Sequence, residues 1–131
     1  MGGQKLTMSK QDSKVLIVDD FGDTGTILVQ MFDHLNVVTE SVNNPEQAFS
    51  KITEKKYKLV IADSRMPKLD GVSLLKRIRQ SSPGTKVAIM STFDSGHTQK
   101  MVVADGIDYY LPKPVKLQHL EQMLAELALK L

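Results

Sequence analysis

Three short runs of this chain, "KVLIV" 14–18, "KLVIA" 58–62 and "KVAIM" 86–90, are almost unbroken successions of Val, Leu, Ile and Ala after a leading lysine. A strand with one wet face alternates polar and apolar residues. A strand that is apolar at every position needs cover on both faces. The runs are too short for buried helices, so they predict a sheet sandwiched between helical layers, with parallel strands joined by crossovers. Two less regular runs, "VVTESV" 37–42 and "IDYYL" 107–111, bring the expected strands to five.

The stretches between these runs carry helical spacing. Ile27, Met31 and Leu35 form one stripe, Ala48, Phe49 and Ile52 a second, and Val72, Leu75 and Ile78 a third. Gly96 to Ala104 is a weaker fourth. Val115 to Leu131 is the clearest, with Leu117, Leu120, Leu124, Leu127 and Leu131 on one side. Asn44-Pro45 opens the second helix, Ser82-Pro83-Gly84 closes the third and Gly106 stops the fourth. The order is therefore (βα)5. With right-handed crossovers it gives a doubly wound α/β fold, an open parallel five-stranded sheet with helices on both faces. Residues 1–13 are polar and without period, which predicts a flexible N-terminal tail ahead of one domain over 14–131.

Composition excludes several classes. A net charge of +2, with Lys and Arg scattered along the sequence, gives no reason to expect a nucleic-acid partner for this segment. With no Cys, disulfides, thiolate catalysis and the usual structural zinc sites are ruled out, and a reducing compartment is suited. No apolar stretch approaches the ~20 residues that cross a bilayer, and the first residues lack a signal-peptide core. The cytoplasm is the expected location. "MGGQKL" begins like an acylation site but has Leu6 where that motif needs Ser or Thr.

In an open α/β sheet the binding crevice lies beyond the carboxyl ends of the strands. The residues that follow the runs are Asp19-Asp20, Asp63, Ser91-Thr92 and Lys113-Pro114. Three carboxylates on one rim repel unless a cation sits among them, and an all-oxygen set suits Mg²⁺ better than zinc. His34, His97 and His119 fall away from that rim. Mg²⁺, an ammonium and a hydroxyl together suit a phosphoryl group. One carboxylate can then act as nucleophile to give an aspartyl phosphate. Asp63 is the strongest candidate, because it alone follows the central run.

"VLIVDDF" 15–21, "LVIADSRMPKLDG" 59–71, "VAIMST" 87–92 and "YYLPKP" 109–114 together resemble the receiver domain of bacterial two-component response regulators, including chemotaxis-type single-domain members. The resemblance runs over roughly residues 14–129 in four ordered motifs and implies a flavodoxin-like fold. It implies that Asp63 accepts a phosphoryl group from the phosphohistidine of a sensor histidine kinase or phosphotransfer protein. Asp20 and Asp63 would bind Mg²⁺ directly, the Arg65 backbone carbonyl would be a third ligand, and Asp19 would hold a metal-bound water. Lys113 would pair with Asp63 and then with the phosphoryl oxygens. Ser91 would move to hydrogen-bond that group, and Tyr110 would rotate inward behind it. That movement would alter the face made by the fourth helix, fifth strand and fifth helix, read by a downstream effector or a C-terminal output domain and, in some members, by a second copy. Pro114 would follow a cis peptide bond, and Gly71 would supply backbone freedom after the Asp63 turn.

Some positions depart from the family pattern. Thr92 stands where Ala or Gly is usual, and Ile107 where Ala is common. Arg65 and Phe93 fall at the two variable positions that, in the family this chain resembles, tune the lifetime of the phosphorylated state, with Phe93 expected to shield it from water. Singly, Asp20, Asp23, Ser91 or Asp94 would each serve as a helix cap. A pseudo-receiver that binds a partner constitutively is the alternative reading, kept open by Thr92. A phosphatase of the haloacid dehalogenase type would want a second Asp where Arg65 stands. On the leading reading the chain catalyses only its own phosphorylation and dephosphorylation. "DTGT" 23–26 spells an aspartic-protease signature, but has no second copy and opens a predicted helix.

Overall fold

The computed structural model describes residues 14–19, 23–64, 71–91, 106–129 and 131. The expected tail over 1–13 and the expected helix over 96–104 lie outside the described residues. The elements run β1 (Val15–Val18), α1 (Asp23–His34), β2 (Thr39–Val42), α2 (Pro45–Glu54), β3 (Leu59–Asp63), α3 (Gly71–Ser81), β4 (Lys86–Ser91), β5 (Tyr109–Pro112) and α4 (Leu117–Glu126). All four pairings are parallel, in the order β2-β1-β3-β4-β5. The chain thus reverses its winding direction at β1, which makes the gap beside it a topological switch point.

Every residue of β1 and β3 is buried, as two-sided cover requires. Alternate residues feed two cores. Leu16, Val18, Val60 and Ala62 meet α2 and α3 on one face, through Ala48, Leu74, Leu75 and Ile78. Val15, Ile17, Leu59 and Ile61 meet α1 and α4 on the other, through Leu28, Phe32, Leu120 and Met123. Tyr109 and Tyr110 split between these two cores, as successive strand residues must.

Two helices differ from their sequence reading. In α1 the residues sunk in the core are Leu28 and Phe32, while Ile27 is 53% exposed. The apolar run "ILVQMF" supports either stripe, and the packing selects the one that holds the larger aromatic. The closing helix ends at Glu126, short of Leu131. Ala128 takes a left-handed φ of 54°, and Leu129 N–H closes back on the Leu124 carbonyl at 3.0 Å. That closure is the Schellman pattern. Asn36 (φ 62°) ends α1 in the same way, with Val37 N–H on the Phe32 carbonyl at 2.9 Å. At the other end of α4, His119 Nδ1 accepts the Lys116 N–H at 3.0 Å, in the role that Glu or Gln usually plays in a capping box. The Asn44 side chain caps α2 by accepting the Gln47 N–H at 2.8 Å.

A second polar cluster ties α2 to the edge strand. Buried Glu40 of β2 accepts the Tyr57 hydroxyl and pairs with the Lys51 ammonium, each at 2.7 Å. Lysines that look scattered in the sequence are gathered by the parallel strands at their starts: Lys58 N–H reaches the Lys14 carbonyl at 2.9 Å, and Lys86 N–H the Lys58 carbonyl at 3.0 Å.

Candidate functional site

The pairing of Val18 with Ala62 makes the next residues of β1 and β3, Asp19 and Asp63, neighbours at the sheet's carboxyl edge. Both are buried, Asp19 to 1% exposure and Asp63 to 3%. Asp19 is tied to β2 by its own N–H on the Val42 carbonyl at 3.1 Å. Its Oδ2 accepts the Gly25 N–H from the first turn of α1 at 3.0 Å.

Asp63 is held from three sides. The following residue, Ser64, donates its N–H to the Met90 carbonyl of β4 at 2.8 Å. Gly71 opens α3 directly against the Asp63 backbone. A Cβ there would lie 2.0 Å from the Asp63 carbonyl oxygen and 2.6 Å from Ile89 Cδ1. Gly71 is not among the left-handed residues, so what it supplies is space for close approach. The expectation of backbone freedom is corrected accordingly.

The third side is Lys113. It arrives from beyond the end of β5, with its N–H on the Ser91 carbonyl at 2.9 Å and with a cis peptide bond to Pro114, as the sequence reading expects. Its Nζ donates to Asp63 Oδ2 and forms an ion pair with it. With little water around either group, the attraction is far less screened than on an open surface. Ser91 closes β4 and is buried. Behind it, the half-buried Tyr110 donates its hydroxyl to the Ser91 backbone carbonyl at 3.4 Å and packs on the α2–α3 core.

The structure therefore brings Asp19, Asp63, Ser91, Lys113 and Tyr110 to one edge. Asp20, Arg65, Thr92 and Phe93 lie outside the described residues. His34 sits in the last turn of α1, and His119 is engaged at the start of α4.

Among the described residues no group of three His, Cys, Asp or Glu side chains could by itself hold a metal ion. The described donors are two adjacent carboxylates, hard oxygen ligands with no soft competitor. That set fits Mg²⁺, which typically takes one or two carboxylates and keeps several waters. Sequence reasoning missed Gly25 and the exact place of Gly71, since a glycine's contribution is the side chain it lacks.

The family model for the response regulator receiver domain matches residues 15–125. The transcriptional regulatory protein ZraR of Klebsiella oxytoca is 34% identical over 119 residues, 91% of this chain and 27% of that protein. The response regulator protein PilR of Pseudomonas aeruginosa is 32% identical over 118 residues, 90% of this chain and 26% of its own length. The chain thus spans about a quarter of the length of these relatives. Among solved structures, the receiver domain of Francisella response regulator 1452 superposes with a TM-score of 0.79 at 30% identity, over 88% of this chain and 96% of its own. Vibrio cholerae chemotaxis protein CheY4 shares the fold, with a TM-score of 0.79 at 23% identity over 87% and 97% of the two chains.

Proposed function

Since the chain belongs to the response regulator receiver domain family of two-component systems, we propose that it works as a phosphorylation-driven switch. Asp63 accepts a phosphoryl group from the phosphohistidine of a sensor histidine kinase or phosphotransfer protein. One carboxylate oxygen forms the new P–O bond as the P–N bond breaks. The electron pair of the broken bond goes to the imidazole nitrogen, which takes a proton from water. Hydrolysis later returns inorganic phosphate and the free carboxylate, so the chain catalyses only its own loading and unloading.

The observation that carries this reading is the ion pair between buried Asp63 and half-buried Lys113. It keeps a carboxylate at the mouth of the crevice with a cation ready to follow charge onto the phosphoryl oxygens. The presence together of the Asp19-Asp20 pair, Asp63, Ser91 and Lys113 argues against the pseudo-receiver. Asp63 would bind Mg²⁺ directly and Asp19 would hold a metal-bound water, with Asp20 and the Arg65 carbonyl, from outside the described residues, as the other direct ligands. When bound, the ion neutralises charge on the transferring phosphoryl group.

Ser91, at the end of β4, would donate its hydroxyl to the phosphoryl group once it moves toward Asp63. The Tyr110 hydroxyl rests on the carbonyl of that same residue, so movement of Ser91 acts directly on Tyr110. The output is then a change on the face that includes β5 and α4. It is read by a downstream effector or an output domain, in keeping with the regulatory relatives. Arg65, Thr92 and Phe93 set donor access and lifetime, with Phe93→Ala expected to shorten the phosphorylated state. The cytoplasm is the proposed location; no described helix is long and apolar enough to cross a membrane.

The test is incubation with Mg²⁺ and acetyl phosphate, followed by mass spectrometry. One phosphoryl adduct that disappears in Asp63→Asn supports the switch. No adduct at any time returns the pseudo-receiver, and rapid turnover of many phosphate esters indicates a phosphatase.

A further inference from the structure

A residue with no side chain donates a hydrogen bond to the Asp19 carboxylate. Gly25 is the third residue of α1, and its N–H, which has no acceptor within the helix's own first turn, donates to Asp19 Oδ2 at 3.0 Å in a buried setting. The helix start is also pressed onto the sheet. A Cβ on Gly25 would lie 2.7 Å from Ser41 Oγ of β2, 3.6 Å from Asp19 Cβ and 3.8 Å from Ile17 Cγ2. Ile17 and Ser41 are themselves paired across β1 and β2. The first turn of α1 thus lies over the ends of both strands, close enough for one amide to reach the carboxylate.

We infer that Gly25 is a positioning residue for the cation site. Its amide fixes the Asp19 carboxylate, and its missing side chain permits the approach that Ser41 would otherwise obstruct. This rests on the proposed function, in which Asp19 holds a metal-bound water. The outer torsion of an aspartate is broad and nearly two-fold, so a backbone donor to one of its oxygens narrows the orientations that the carboxylate takes. A helix N-terminus is a suitable donor, because its partial positive charge complements the carboxylate. Groups that orient metal ligands in this way typically contribute ~10–100-fold to metal affinity.

The test uses a Ser41→Ala background, which removes the obstructing hydroxyl. There, Gly25→Ala keeps the N–H and adds a methyl with ordinary contacts only, whereas Gly25→Pro deletes the N–H at a first-turn position where the helical ladder does not need it. Mg²⁺ is titrated by calorimetry, and thermal melting is recorded on the same samples. Wild type and Gly25→Ala/Ser41→Ala should bind Mg²⁺ alike, and Gly25→Pro/Ser41→Ala about 10-fold more weakly at comparable melting temperature. Equal affinity in all three overturns the inference and leaves the functional reading intact. A wild type that binds no Mg²⁺ overturns both. A folding-independent check is the Gly25 amide resonance of the wild type, which should exchange slowly with solvent and shift on Mg²⁺ addition. Fast exchange with no shift overturns the inference even if the proline variant does not fold.

Discussion

Asp63 carries its carboxylate almost wholly out of water, and the Lys113 ammonium is the cation beside it. Lys113→Ala should slow phosphoryl-adduct formation from acetyl phosphate by ~10²-fold, the usual loss when one charged donor to a developing transition state is removed. A mass-spectrometric time course measures it. At Gly71 the obstacle to a side chain is a backbone oxygen, which cannot swing aside as a side-chain tip can. Gly71→Ala should therefore lower the unfolding free energy by ~3 kcal/mol or more, read from urea denaturation. Asp63, Ser91 and Lys113 were legible in the sequence because a polar residue that ends an apolar run has few places to go. Gly25 and Gly71 were not legible in this detail, because which atoms press on an absent side chain is decided by elements far along the chain.

At the scale of the element, α2 is fastened to edge strand β2 by Glu40. Burial raises its pKa, but the Lys51 ammonium and the Tyr57 hydroxyl together outweigh it and leave the pKa below the ordinary carboxylate value of 4.5. A group depressed in the folded state stabilises above its unfolded pKa and loses that contribution as the pH falls through the folded value. Urea midpoints should thus fall below about pH 4.5, and Glu40→Gln should lessen the dependence. The end of α4 offers the opposite opportunity. Ala128 holds a left-handed φ that a Cβ resists, so Ala128→Gly should raise stability by ~0.5–1 kcal/mol, seen as a higher melting temperature. The strands were legible from their apolar runs, whereas the stripe of α1 and the last turn of α4 were not. A one-residue rotation of an apolar helix, or a left-handed alanine, is decided by packing that no local pattern records.

For the whole molecule, the class of fold followed from three runs with no wet side, and the carboxyl edge followed from the class. The neighbour relations between strands did not, because nothing in a run names its partner. Those relations also have a history in time. The pairing of Val15 with Leu59 spans about 44 residues, the longest of the four, and the length-dependent entropy of closing such a loop is ~3 kcal/mol. A folding chain must join β1 to β3 across that gap before their contacts reward it. Ile61→Val, in the middle of β3, should therefore slow refolding in stopped-flow experiments more than it speeds unfolding, whereas a truncation in α4 should do the reverse. Asp19 follows the first of those strands and Asp63 ends the second, so the crevice is assembled by the longest-range of the strand pairings, and on the proposed function a nascent or partly refolded molecule would have no place to receive a phosphoryl group until that pairing has formed.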